Sequence, residues 1–361
     1  MTFDHASRIE RLRSAMIEQR IDAVVLSVGA DLPYFTGYEA MPSERLTVLV
    51  VPSLGEPAMF VPKLEAPMVP SGPFAVRAWT ETEDPVELAA AVIQPSIVGV
   101  GDHMWSVFLT RFQKTWTGAS WRPASEVTGR LRVIKDLLEI DLLRSAAHAV
   151  DRVMARIPGE VPFAGRSEID VARDLALLTV EEGHHNAEFT IVASGPNGAS
   201  PHHHPGGRIL EDGDLVVCDF GGRLGGYFSD STRTFVVGEP AADHLEVHDV
   251  VSAANQAGRS EAVQGAACQE VDAAVRSVVA DAGFGDYFIH RTGHGIGLEV
   301  HEHPYIVTGN SETLVAGMTF SIEPGIYLPG RFGVRIEDIV VCTVDGAESL
   351  NQSDRSLVPV G

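Results

Sequence analysis

Five residues of metal-ligating type, Asp219, Asp230, His294, Glu323 and Glu337, lie in the C-terminal half of the chain, each in a short segment flanked by Gly, Pro or Thr. A fold that gathers them must place four carboxylates in one small volume. Four carboxylates within a few ångströms cannot all stay ionised unless cations stand among them. Two divalent ions balance that charge in formal terms. One imidazole with a majority of hard carboxylate oxygens suits Mn²⁺, Co²⁺ or Zn²⁺, with Mn²⁺ first.

The spacing supports one shared pocket. Residues 215–220 read as a buried strand, and Gly221-Gly222 and Gly225-Gly226 signal a turn. The chain then returns through Tyr227-Phe228-Ser229-Asp230 into a strand over 232–237. An antiparallel hairpin folding about Leu224-Gly225 sets 219 directly opposite 230, with Cβ atoms about 4.5–5.5 Å apart on one face. The strand-like runs 319–323 and 333–337 flank Pro329-Gly330. A hairpin centred on Gly330 opposes 323 and 337 in the same way.

Several segments carry a family resemblance. They are Asp219-Phe220-Gly221, residues 227–234, His290-Arg291-Thr292-Gly293-His294-Gly295-Ile296-Gly297, His301-Glu302-His303-Pro304, Ile322-Glu323-Pro324-Gly325-Ile326-Tyr327 and Val334-Arg335-Ile336-Glu337-Asp338. The chain resembles the pita-bread metallopeptidases, the group of prolidase, aminopeptidase P, methionine aminopeptidase and the metal-free creatinase. All five metal positions of that family carry the expected residue type, in order. The resemblance implies an α+β fold: a pita-bread catalytic domain over 129–361 behind a smaller creatinase-like N-terminal α/β domain over 1–128.

The resemblance also assigns roles. Asp219 binds one metal, His294 and Glu323 bind the other, and Asp230 and Glu337 bridge them. Such ions stand about 3.5–4 Å apart and acidify a water for attack on a carbonyl. His202, seventeen residues before Asp219, and His301, seven after His294, are expected to stabilise the developing oxyanion. Glu323 is expected to serve as general base. His290 is expected at the substrate, and Arg335 either supports a ligand carboxylate or meets the substrate. Within Pro201-His202-His203-His204-Pro205, His203 and His204 read as part of a mobile polar loop, and His303 has no role. Several prolidases carry an Arg directly after the His-Glu-x-Pro segment to hold the substrate carboxylate; here Tyr305 takes that place at the substrate.

Composition narrows the partners. A net charge of −22 argues against nucleic acid and anionic membrane, which want basic patches. Hydrophobic content of 45% is ordinary for a globular protein, and no apolar run approaches the roughly 20 residues of a membrane span. Cys218, Cys268 and Cys342 are widely spaced and odd in number, which points to a reducing compartment. No basic stretch followed by an apolar core opens the chain, so no signal peptide is expected and the protein reads as cytoplasmic.

Taken in order, residues 8–19 predict an amphipathic helix, 21–27 a strand, 34–38 a loop, 46–51 a strand, 87–92 a helix and 96–100 a strand. That alternation is an α/β layer pattern. A long helix is predicted through 143–157, stopped by Pro158-Gly159, and Ser167 with Asp170 opens another that Gly183 ends. Further helices are predicted over 245–266 and 271–282.

The function this implies is dinuclear metal-dependent hydrolysis of the Xaa-Pro bond in small proline-containing peptides, dipeptides first, by a homodimer. The alternatives are an Xaa-Pro aminopeptidase acting on longer peptides and a non-catalytic binding module of the same fold. The intact ligand set weighs against the module. Neither His-Glu-x-x-His nor Gly-x-Ser-x-Gly occurs, which removes zincin and α/β-hydrolase readings.

Overall fold

The computed structural model describes residues 3–361. Met1 and Thr2, the start of the segment read for a signal peptide, lie outside the described residues. Among the described residues, no helix is long and apolar enough to cross a membrane. The chain divides into two compact units, Met1–Arg132 and Val133–Gly361. The division falls four residues beyond the expected 128/129, because 128 lies inside a helix, Ser125–Arg132, that packs on the first helix of its unit.

The first unit runs α1 (His5–Gln19), β1 (Ala23–Leu26), α2 (Asp31–Thr36), β2 (Val48–Pro52), β3 (Ala58–Pro62), β4 (Ala75–Trp79), α3 (Pro85–Ala90), β5 (Ile97–Val100), α4 (Ser106–Thr115), β6 (Ser120–Pro123) and α5 (Ser125–Arg132). Its strands form one mixed sheet in the order β4-β3-β2-β1-β5-β6. The central β1 and β2 are wholly buried, as their continuous Val and Leu runs require. Trp79, Phe108, Phe112 and Trp116 fill the core on one face. Residues 34–38, predicted as a loop, largely form α2: Pro33 sits in its first turn, where a missing N–H costs nothing, and Gly37 closes it at φ +70°.

The second unit begins with α6 (Leu137–Glu160) and α7 (Glu168–Glu181), followed by β7 (Ala187–Ser194), β8 (Leu215–Leu224), β9 (Tyr227–Phe228) and β10 (Ser231–Val237). Next come α8 (Ala242–Glu261) and α9 (Cys268–Asp281), then β11 (Gly293–Gly295), β12 (Glu302–Ile306), β13 (Thr319–Ile322), β14 (Gly325–Leu328), β15 (Phe332–Arg335), β16 (Asp338–Thr343), β17 (Gly346–Ser349) and β18 (Val358–Val360). One sheet has the order β18-β10-β8-β7, a second β12-β11-β13-β16-β17, and β14 pairs with β15 alone. Val150, Val153 and Ile157 of α6, with Val171 and Leu175 of α7, bury the first sheet's Val216, Cys218, Phe220 and Phe235. Val251 and Val275, from α8 and α9, cover Ile326, Val334 and Ile336.

Two predicted ends moved. Pro158 does not stop α6, which continues to Glu160; placed in the last turn, it removes a single hydrogen bond while Val161 N–H still reaches the Ile157 carbonyl. The helix predicted over 245–266 is Ala242–Glu261, because Gly265 at φ +98° turns the chain first.

The hairpins carry the site. The first closes on Gly225-Gly226, at φ +60° and +89°, the paired positive values of a tight two-residue turn. Leu224 therefore faces Tyr227, and Asp219 faces Thr232 rather than Asp230. The predicted register was displaced by two residues. Asp230 still projects toward Asp219's side, because a strand repeats its facing every second residue. Gly221 and Gly222, read as turn residues, lie inside β8, where a Cβ would strike the Ser229 and Asn186 carbonyls respectively. The second hairpin has the predicted register: Leu328 faces Phe332, Gly325 faces Arg335, and Ile322 faces Asp338 in the neighbouring sheet. Glu323 and Glu337 sit where the pair passes from one sheet to the other, their N–H groups donating instead to Thr292 and Thr232 carbonyls.

Around His294, a Cβ on Gly293 would strike the Ser321 carbonyl, and one on Gly295 the His303 carbonyl. Gly293→Ala is expected to lower unfolding free energy by about 1–3 kcal/mol in urea titration. Gly159→Ala, on an open helix surface with nothing within 4 Å, is expected to be neutral or slightly stabilising. Equal losses at both positions would contradict the close strand packing.

Candidate metal centre

Asp219, Asp230, His294, Glu323 and Glu337 converge on one cavity of about 730 Å³, also lined by His202, His204, His290, Arg291, His301 and Arg335. Its apolar wall is Phe189, Ile191 and Val300. Donor atoms of His294, Glu323 and Glu337 lie within 4.8 Å of one another, as do those of Asp219, Asp230 and Glu337. These two groups share Glu337. A third grouping joins Asp230, His294 and His301.

The donor atoms face each other across the cavity. His294 Nδ1 lies 3.1 Å from the Gly295 carbonyl, so that nitrogen carries the proton and donates. Nε2 then presents a lone pair 3.3 Å from Glu323 Oε1 and 3.6 Å from Asp230 Oδ2. Asp219 Oδ1 and Glu337 Oε1 are buried with no hydrogen-bond partner. An unsatisfied buried acceptor costs about 1–3 kcal/mol, more when charged. Burial, reinforced by Glu337, Asp219 and Glu323, pushes Asp230 well above the usual carboxylate range. Burial and then Glu323 do the same to Glu337. Enclosure raises Glu323 to about 7. His294 is held neutral, first by burial and then by His301. Convergent lone pairs, orphaned oxygens and reluctant carboxylates fit cations at this position.

The remaining lone pairs are anchored. Thr232 Oγ1 donates to Glu337 Oε2 at 2.7 Å, and Ser321 Oγ donates to Glu323 Oε1 at 3.1 Å. Arg335 donates to Asp219 Oδ2 at 2.6 Å, to Thr232 Oγ1, to the Tyr327 hydroxyl and to the Pro201 carbonyl. Its donors are thus committed to the frame. Tyr327 passes the chain on: its hydroxyl lies 2.8 Å from His290 Nε2, while His290 Nδ1 donates to the Arg291 carbonyl. Burial, then Arg335, lowers His290 to about 4, so it is neutral. Behind the ligands, Arg233 joins Asp338 at 2.8 Å and also donates to the Glu337 carbonyl.

His202 and His301 both face the cavity. His203 and His204, expected in a mobile polar loop, both have contacts in the structure. His203 Nε2 donates to Glu168 at 2.8 Å, and His204 joins the cavity wall. Tyr305, expected at the substrate, stands back from the wall: it pairs with His294 across β11 and β12, and Arg291 packs on its ring. His303 is exposed beside Tyr305, with ring centroids 4.7 Å apart.

Three supports escaped sequence reasoning. Tyr327 lay inside a quoted motif, but its hydrogen bonds to His290 and Arg335 were not legible. Asp272 accepts from Thr292, Thr308 and Arg276, which ties α9 to the strand bearing His294. Glu168, wholly buried, accepts from Ser194 N–H, Ser194 Oγ, Asn197, His203 and Gly206 N–H. Burial alone would raise it, yet those donors outweigh burial and hold it below the ordinary range. In sequence, Glu168 is simply an acidic residue in a helix's first turn.

With that geometry in place, the class is defined. Residues 141–344 match metallopeptidase family M24, and residues 8–134 match the creatinase/prolidase N-terminal domain. The chain belongs to the M24 metallopeptidases. It is similar to dipeptidase PepE from Mycobacterium ulcerans, with 43% identity and TM-score 0.93 over 99% of this chain and 98% of that one. A prolidase from Thermococcus sibiricus superposes with TM-score 0.94 at 36% identity, covering 100% of both chains. The Xaa-Pro dipeptidase of Lactobacillus helveticus is 34% identical over 97% of this chain and 98% of its own length.

Two outcomes follow. In metal-free protein the raised pKa values of Asp230, Glu337 and Glu323 stabilise the fold through their protonated forms. That contribution is complete below the unfolded carboxylate range, near pH 4, and is lost as pH rises through the folded values, about 7 for Glu323. Cations favour the ionised ligands instead. The gap in Tm between metal-loaded and metal-free protein should therefore widen from about pH 5 to about pH 8; a constant or narrowing gap would contradict the cluster. Separately, Glu168→Gln should lower kcat by about 10²-fold, since small displacements of a positioned group cost that much, while bound metal measured by elemental analysis stays at the wild-type amount.

Proposed function

We propose that this metallopeptidase hydrolyses the bond between Xaa and Pro, with dipeptides as its preferred substrates. The observation that carries the reading is the convergence of five donor groups, two of them with orphaned oxygens, at the base of a cavity walled by Phe189, Ile191 and Val300. Similarity to an Xaa-Pro dipeptidase over nearly the full length of both chains supports the substrate class.

Asp219, Asp230 and Glu337 would hold one divalent ion, and His294, Glu323 and Glu337 the other, with Asp230 a second bridge as the resemblance implies. Divalent ions held there would supply Lewis acidity and lower the pKa of water toward neutrality. Glu323 receives the proton from the attacking water at its carboxylate and returns one to the leaving nitrogen. His202 and His301 face the cavity and donate to the carbonyl oxygen as negative charge gathers there. Arg335 keeps Asp219 oriented, and His290, held neutral, lies in the wall beside it. Oxygen-rich ligation favours Mn²⁺ over Co²⁺ or Zn²⁺. A cytoplasmic setting and a homodimer complete the reading.

A second reading, an Xaa-Pro aminopeptidase acting on longer peptides, is favoured by the size of the cavity, which lies toward the upper part of the range for small-molecule sites.

The test is a substrate panel of Ala-Pro, Ala-Ala and Ala-Pro-Ala with added Mn²⁺, beside elemental analysis. Ala-Pro should be cut best, with about two ions per chain. His202→Ala and His301→Ala should each lose about 10²–10³ in kcat while keeping both ions. Protein free of metal yet fully active would refute the reading, and preference for Ala-Pro-Ala would favour the aminopeptidase.

A further inference from the structure

The His301 ring has little of its own to hold it. Among the described residues it makes one aromatic contact, with His294 at 4.0 Å between centroids, and no hydrogen bond. One of its ring nitrogens lies within 4.8 Å of donor atoms of Asp230 and His294. On that side stand the ligands; on the other is the open cavity that receives the substrate. A misplacement of about 1 Å in such a group costs about 10² in rate. The aim of this ring must therefore come from the backbone beneath it.

That backbone is fixed by the next residue. Successive side chains of an extended chain point opposite ways, so Glu302, the first residue of β12, turns inward as His301 turns to the cavity. Glu302 is 8% exposed, Lys135 is 4% exposed, and Lys135 Nζ donates to Glu302 Oε1 at 2.6 Å. Gly297 lies across the pair, where a Cβ would strike the Glu302 carboxylate and crowd Lys135 Cε. Lys135 is anchored in turn. Its N–H donates to the Gly317 carbonyl, Ile134 bridges Met318, and Gly317 N–H donates to the Cys342 carbonyl of β16. Those residues lead into β13, which ends beside Glu323. Through Lys135, His301 and the general base share one frame.

Neither Lys135 nor Glu302 lines the cavity. A buried ion pair adds little net stability, and apolar residues of similar volume often serve a core as well or better. What the pair supplies is direction, because the ammonium and carboxylate meet in one geometry.

We propose that the Lys135–Glu302 pair aims His301 at the substrate carbonyl, which makes Lys135 a positioning residue for the reaction. The proposal rests on the role given to His301 in the peptidase reading above.

The test measures kcat and KM for Ala-Pro, bound metal and Tm on the Mn²⁺-loaded enzyme. The variants are Lys135→Met, Glu302→Gln, Lys135→Met/Glu302→Leu and Lys135→Met/His301→Ala. Lys135→Met should lower kcat by about 10–10²-fold with KM little changed and the wild-type amount of metal, since the aim is lost while the ligands stand. Glu302→Gln, which keeps the side chain's shape, should lose kcat in the same pattern and carries the test if Lys135→Met does not fold. In the His301→Ala background, Lys135→Met should change kcat by less than about three-fold, because residues acting as one unit are not additive. The apolar pair should bring Tm back to near wild type while kcat stays low. Fully multiplied losses in Lys135→Met/His301→Ala, loss of metal from Lys135→Met, or kcat restored together with Tm in the apolar pair would each overturn the proposal. Histidine-ring NMR of the Zn²⁺-loaded protein reads the aim without turnover. The His301 signal, assigned by its loss in His301→Ala, should move in Lys135→Met while that of His290 holds. An inactive wild type would defeat the peptidase reading alone, and the ring signal then decides: a moved His301 signal keeps the positioning, and an unmoved one overturns it.

Discussion

The structure of the second unit depends on a repulsion. Asp219, Asp230, Glu323 and Glu337 meet with His294 where burial and then neighbouring carboxylates raise the proton affinity of Asp230 and Glu337, and two oxygens have no hydrogen-bond partner. Such an arrangement persists only if the backbone beneath it is over-determined. Here that backbone is two antiparallel pairs, each held by ladder hydrogen bonds and each placing its carboxylates toward the shared cavity. Cations convert the repulsion into attraction, so the scaffold's rigidity and its affinity for metal have one origin.

Around the repelling groups stands a layer of fully engaged polar side chains. Arg335, Thr232 and Tyr327 hold Asp219 and Glu337, while Arg233 and Asp338 lock the strands behind them. Asp272 fixes the entry to His294, and Lys135 pairs with Glu302 at 2.6 Å beside His301. Glu168 holds the loop of His202 and His204 from below. A buried ion pair adds little net stability, but removing one partner leaves an uncompensated charge, so these pairs enforce geometry more than they add stability. The groups that face substrate have their conformations set by this layer.

Legibility from the sequence followed the range of the interaction. The hairpin about Gly330 was readable because turn chemistry and strand parity are local, and its register agreed. The hairpin about Gly225-Gly226 was misplaced by two residues, because several glycines competed for the turn and the close approach of other chain segments selected among them. Facing survived the error, since a slip of two leaves every side chain on its own side. Two helix ends also moved: Pro158, in a last turn, costs a single hydrogen bond and does not stop its helix, and Gly265 at φ +98° turns the chain before the predicted end at 266.

From its sequence alone the protein is determined as to class: residue types and their order mark five residues of ligand type that meet in one cavity, and the second hairpin that carries two of them. Tertiary structure alone decided which second residues serve them. Glu168 looks like an ordinary first-turn acid until five donors from segments 26 to 38 residues away close on it. Arg291 and Tyr305 sit fourteen residues apart in sequence, with nothing to mark one as platform for the other. Ligand type is chemistry, written in each residue; partnership is distance in space, and for residues far apart along the chain that distance exists only after the core has formed.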